Sequence, residues 1–168
     1  MTAFEIPELG IFMPKLLKTS LFDPFLLVEA TVRTSVTWQV DGRLHPEFFS
    51  EQEREEKRLQ DCPCTPFSLV RETVFSMMKG KNLPLSFQFV FLLAPENTGK
   101  LLAEAGLGSA ADAVSGLHLN LNYRNGKLTA TTGVSYRTFT RDKAAEQEWD
   151  AAVEKFFRTN HIAAESIL

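Results

Sequence analysis

Three groups of residues in this chain have types and spacings that chemistry uses. The first is Gly99-Lys100, which follows the Phe-rich run Phe87-Gln88-Phe89-Val90-Phe91 and opens Leu101-Leu102-Ala103-Glu104-Ala105. Strand, loop, Gly-Lys, helix is the order of a phosphate-binding P-loop, whose pattern is G-x-x-x-x-G-K-[ST]. Here the first glycine is Ala94 and the magnesium-binding hydroxyl residue is Leu101. Pro95 lacks an N–H that a phosphate cradle would use, and Glu96 would set a negative charge beside the phosphates. The segment reads instead as an ordinary helix. Pro95 takes its first position, Glu96 lies at the positive end of its dipole and Gly106 ends it.

The second group is Cys62-Pro63-Cys64, with His45 not far away in sequence. A structural zinc site needs four ligands, usually two pairs in wider spacing, and three scattered histidines supply no second pair. A redox pair would be C-x-x-C, and one intervening residue closes too tight a loop for an unstrained disulfide. The reading is two partly buried thiols in a loop, with no metal and no cofactor. No G-x-S-x-G elbow is present, and Glu5, Glu8, Asp23, Glu29 and Asp41 stand singly, so no catalytic residue is assigned.

The third group is a polar stripe. His118, Asn120 and Asn122 alternate with leucines and face Thr129 and Thr131 across a hairpin, while Arg33 and Gln88 hold the equivalent parity on other strands. Amides, hydroxyls, one imidazole and one guanidinium can bind a small molecule or peptide through directed hydrogen bonds. Arg33, Gln88, His118, Asn120, Asn122 and Thr131 are therefore the candidate ligand-binding residues. The competing reading is the solvated face of a two-layer sheet.

Several elements must position these groups. A helix is expected over Ile6 to Lys18, starting late or kinked because of Pro14. From Leu26 the period is two, with Leu26, Val28, Ala30, Val32, Val36, Trp38 and Val40 all on even numbers. That parity means one long bent strand, or two strands joined by a three-residue loop near Thr34. Ser50 with Glu53 makes a capping box for a charged helix to about Leu59. A second helix is expected after Thr65 as N-cap and Pro66 at its first position, burying Phe67, Val70, Val74 and Met77.

Leu85 to Leu93 reads as a central strand, since its second half is apolar on both faces. Asn125-Gly126 is a type I′ turn signal that pairs Arg124 with Lys127, Asn122 with Thr129, Asn120 with Thr131 and His118 with Gly133. Ser109 with Asp112 caps a short helix before that hairpin. A last amphipathic helix runs from Asp142 to Arg158. The expected fold is α+β: an antiparallel sheet of about five strands with helices mostly on one face and the C-terminal helix across it, as one domain over residues 1–168 with residues 1–5 and 159–168 frayed.

The chain has 168 residues, 44% hydrophobic, with 14 Phe against two Tyr and two Trp, a large core with few polar handles. Its net charge of −3, with no cluster of Lys and Arg, argues against a nucleic-acid partner. No run is long and apolar enough to span a membrane and no signal peptide is visible, so the expectation is a cytoplasmic protein with a possible small-molecule or protein partner.

The segments FDPFLLVEA, VDGRLHPEFFSEQE, KGKNLPLSFQFVFLLAPENTGKLLAEAGL and LTATTGVSYRTFTRDKAAEQEWD resemble an uncharacterised single-domain family of clostridial-type Firmicutes. The resemblance runs from Phe4 to Phe157. It implies a bacterial cytoplasmic origin and supplies no catalytic or binding residues. The function expected from the residues is a non-enzymatic module that binds a small ligand or a protein. The alternative is an enzyme with its site on the polar face around His118.

Overall fold

The computed structural model describes residues 1–167. Five α-helices occur among them: α1 (Leu9–Lys18), α2 (Glu51–Glu56), α3 (Phe67–Met78), α4 (Pro95–Glu104) and α5 (Ala144–Thr159). The strands are β1 (Ala3–Ile6), β2 (Phe25–Arg33), β3 (Thr37–Asp41), β4 (Thr65–Pro66), β5 (Ser86–Leu93), β6 (Val114–Arg124), β7 (Lys127–Tyr136) and β8 (Glu165–Ser166). They form one open antiparallel sheet in the order β3-β2-β5-β6-β7-β1-β8, with β4 paired to β2.

The expectation of about five strands is corrected to eight. The additions are short. β1 pairs with β7 and β8 with β1, in segments expected to fray; Leu168, also expected to fray, lies outside the described residues. Neither strand has enough length for a period-two signal, and both exist because a long-range partner satisfies their backbone groups. Thr65-Pro66 pairs with Leu27 and Leu26 instead of capping α3, whose N-cap is Pro66. Residues 108–113 form turns where a short helix was expected. α1 does start late, at Leu9, with Pro14 inside it.

One face of the sheet carries the core. Phe87, Phe89, Phe91 and Leu93 of β5 and Leu117, Leu119, Leu121 and Tyr123 of β6 are all buried there. Helices cover this face. Phe67 of α3 meets Phe91 edge-on at 5.1 Å between centroids, and Phe22 stacks on Phe91 at 5.5 Å. α5 does lie across the sheet, since Phe157 meets Phe4 of β1 and Trp149 meets Phe25 of β2. Beneath α5, Thr132 is the one buried polar residue among those described, and it hydrogen-bonds Asp150 and Thr2, tying the first strand to the last helix.

The even-number parity holds from Ala30 to Val40, where Ala30 faces Val40 and Val32 faces Trp38, and fails before it. β2 and β3 are separate strands joined by Thr34–Val36, the three-residue alternative. Within β2 the register against β5 slips between Leu27 and Glu29. A β-bulge at Val28 therefore switches the inward set from Phe25 and Leu27 to Ala30 and Val32. Leu26, expected to face inward, lies on the opposite side opposite Leu92. Gly42 seals the bulge: its N–H donates to the Val28 carbonyl, and a Cβ there would overlap the Leu27 carbonyl oxygen.

Candidate functional site on the uncovered sheet face

The register sorts the other face into cross-strand rows. Arg33, Ser86, Arg124 and Lys127 form the row nearest the Asn125-Gly126 turn. The next row is Thr31, Gln88, Asn122 and Thr129, followed by Glu29, Val90, Asn120 and Thr131. The last is Leu26, Leu92, His118 and Gly133. The hairpin pairs read from Asn125-Gly126 hold throughout, with Asn125 at φ 54° and Gly126 at φ 76°, the positive values a type I′ turn requires.

All six candidate residues share this face, but not one place on it. Arg33, Gln88 and Asn122 line a shallow groove of about 600 Å³ at the hairpin end. Asn120 and Thr131 are paired in its middle, both half-buried, and the Asn120 side-chain oxygen is buried without a hydrogen-bond partner. His118 lies at the far end. Six residues of β6 separate it from the Arg124 row (124 − 118 = 6), which is roughly 20 Å. Arg33 and His118 therefore do not act on one ligand atom.

The His118 end is built differently. His118 Nε2 lies 3.1 Å from Ser135 Oγ, and Ser115 Oγ donates to Ser135 Oγ at 2.9 Å. Ser115 reaches this side because a second register slip, between Val114 and Gly116, turns it out of the ladder. Gly116 leaves the room the imidazole occupies: a Cβ there would stand 2.6 Å from Leu92 Cδ1 and 3.1 Å from His118 Nε2. Burial strips water from the ring and holds the His118 pKa below its ordinary value, so the imidazole is neutral near pH 7. From beneath the sheet, Trp149 Nε1 donates to the His118 carbonyl at 2.8 Å.

The chain between β3 and β4 runs beside this end, where its Pro63 shares a small cavity with Leu92, Ser115 and Gly116. It leaves at Gly42, makes a 3₁₀ turn at Pro46–Phe48, forms α2 behind the Ser50/Glu53 capping box and returns through Cys62-Pro63-Cys64. Between it and the sheet is a cleft of about 820 Å³ whose walls include Arg54, Glu55, Cys62, Ser115 and Arg137. The charged helix and the cysteine loop thus meet Ser115 of β6 and Arg137, just past β7, in one cleft. Cys62 and Cys64 are free, and burial raises both thiol pKa values, with Asp61 adding to the first and Asp41 to the second, so both stay protonated and weakly nucleophilic.

Sequence reading missed Ser135 and Ser115. Ser135 was within reach, because the odd-number parity of Lys127, Thr129, Thr131 and Gly133 extends to it. Ser115 was not, since the bulge that turns it outward leaves no local mark. At the Gly99-Lys100 segment, only Ala94 separates β5 from α4, and Lys100 Nζ pairs with Glu96 at 3.3 Å on the same helix. Among the described residues, no three of His, Cys, Asp and Glu come together to hold a metal ion, and no helix is long and apolar enough to cross a membrane.

These features define an α+β protein with one helix-covered and one open sheet face. The chain belongs to a family of unknown function, DUF5721, whose family model matches residues 15–165. Comparison with curated proteins and with solved structures gave no match.

Proposed function

We propose that the chain is a non-enzymatic module that binds a small ligand on the open polar face of its sheet. One observation carries the reading. The register lays Thr31, Gln88, Asn122, Asn120 and Thr131 side by side as a band of uncharged hydrogen-bonding groups, and within it the Asn120 side-chain oxygen has no partner. A buried acceptor left unpaired costs about 1–3 kcal/mol, which a ligand donor would offset. As part of the same reading the protein is cytoplasmic and comes from a clostridial-type bacterium. The two free, closely spaced thiols fit a reducing compartment.

The test is a thermal-shift screen of metabolites and short peptides on the wild type, on a His118→Ala, Asn120→Ala double variant and on Gln88→Ala, Asn122→Ala. A stabilising compound that loses its effect in a variant whose unfolding midpoint is unchanged supports the module. A hit retained by both variants, or none across a broad screen, removes it.

A second reading is an enzyme centred on His118. It is favoured by the neutral imidazole standing 3.1 Å from the Ser135 hydroxyl, the reach a general base needs. Against it, the Ser135 hydroxyl also bonds the Gly116 carbonyl at 3.4 Å, and among the described residues no carboxylate orients the ring. A turnover on ester or phosphoester substrates that vanishes in Ser135→Ala would establish this reading over the first.

A further inference from the structure

The row nearest the hairpin turn differs from the rest of this acidic chain. Arg33, Arg124 and Lys127 stand on it with Ser86 between the two arginines, and no carboxylate lines the adjoining groove. All three cations are exposed. Among the described residues none of them takes part in an ion pair or a side-chain hydrogen bond, whereas Arg71, Lys100 and Lys143 pair with acids and Lys15, Arg54 and Arg137 bond backbone carbonyls elsewhere.

The backbone holds these groups in a fixed relation. β2, β5 and β6 run side by side, so Arg33 and Arg124 rise from positions about 10 Å apart on either side of Ser86. Two guanidiniums with that separation can close on one multiply charged anion above the Ser86 hydroxyl, each offering a planar pair of N–H donors. Gln88 and Asn122, directly opposite each other in the next row, supply amide donors and acceptors for the uncharged part of the same ligand.

We infer that this groove is an anion site, and that the module's ligand is a small molecule bearing at least two negative charges as phosphate or carboxylate. The inference rests on the polar-face reading and specifies which end of the face is occupied and by what. The anionic part lies over Ser86 between Arg33 and Arg124. The neutral part extends along Gln88 and Asn122 toward Asn120. Nucleic acid is a different occupant, and the charge of the whole chain opposes it.

The experiment measures binding of inorganic pyrophosphate, citrate and a short single-stranded oligonucleotide by calorimetry and thermal shift, with sodium chloride matched to hold ionic strength constant. The proteins are wild type, Arg33→Gln, Arg124→Gln and the His118→Ala, Asn120→Ala double variant. The expected result is that pyrophosphate or citrate stabilises the wild type and binds roughly ten- to hundredfold more weakly to each arginine variant. The double variant keeps the anion. Pyrophosphate against citrate tells phosphate from carboxylate chemistry.

Equal shifts in all four proteins, no shift in any, or tighter binding of the oligonucleotide than of either small anion would overturn the inference. The broader reading can survive without this one. A neutral hit lost in Gln88→Ala, Asn122→Ala but kept in the arginine variants leaves a module without an anion site. Because Arg33 and Arg124 are exposed, their variants keep the wild-type urea midpoint, which excludes misfolding as a cause of lost binding.

Discussion

At the hairpin end of the open face, Arg33, Arg124 and Lys127 stand in water on stretches of strand that the bulges do not reach. At the other end, His118 is packed over Gly116 beside Ser135, and Pro63 of the chain between β3 and β4 shares a small cavity with Leu92 and Gly116. The side chains of the first end can be changed with little effect on folding, whereas those of the second are part of the packing. Binding and stability are thus separable at one end and coupled at the other. The first end can discriminate among ligands by charge, and the second changes its ligand contacts only by moving the sheet.

Substitutions break or sharpen that contrast. The largest effect falls on Gly116→Ala. The added methyl meets Leu92 Cδ1 at 2.6 Å and the imidazole at 3.1 Å, and overpacking of this kind costs about 1–3 kcal/mol. Urea unfolding should show the loss, and a Leu92→Ala, Gly116→Ala pair should fall short of the sum of its single changes, because truncating Leu92 makes room for the methyl that then fills part of the gap. An additive pair would show that Leu92 yields to the added methyl without cost.

Acidification probes the same end more gently. The folded pKa of His118 is depressed from 6.5 by burial, so below pH 6.5 the unfolded chain binds more protons than the folded one. Stability is therefore full above about pH 6.5 and is lost as pH falls through the lowered folded value. Urea midpoints measured from pH 7 to pH 5 should decline more steeply in the wild type than in His118→Gln. Parallel curves would mean that the ring is not desolvated. The smallest effect belongs to the hairpin end, where Gln88→Ala should leave stability within about 0.5 kcal/mol of wild type. A loss several times larger would place Gln88 in a network the fold depends on.

How much of this could be read in the chain follows the same division. The hairpin end was legible because Asn125-Gly126 sets the turn and fixes every pair from Arg124 and Lys127 to His118 and Gly133. The Ser50/Glu53 capping box and the central position of β5 were legible for similarly local reasons. The His118 end was not. Its shape depends on bulges at Val28 and Ser115, and a bulge is a mismatch between two strands that neither sequence carries alone. β1, four residues long, exists because β7 offers it an edge from more than a hundred residues away, and its Phe4 and Ile6 complete a core that periodicity assigned to other elements.

The hydrogen bond from Trp149 to the His118 carbonyl has an optical consequence. The chain has two tryptophans; Trp149 is 3% exposed, while Trp38, on the outer strand β3, is 43% exposed. The two indoles therefore emit from dry and wet surroundings. Acrylamide will quench the red-shifted emission of Trp38 and leave the blue-shifted emission of Trp149. Any event on the open face that shifts the His118 backbone alters the dipole seen by Trp149 through the thickness of the sheet. The protein thus carries an internal fluorescent gauge of its less accessible end, legible without a label once Trp38→Phe has silenced the other.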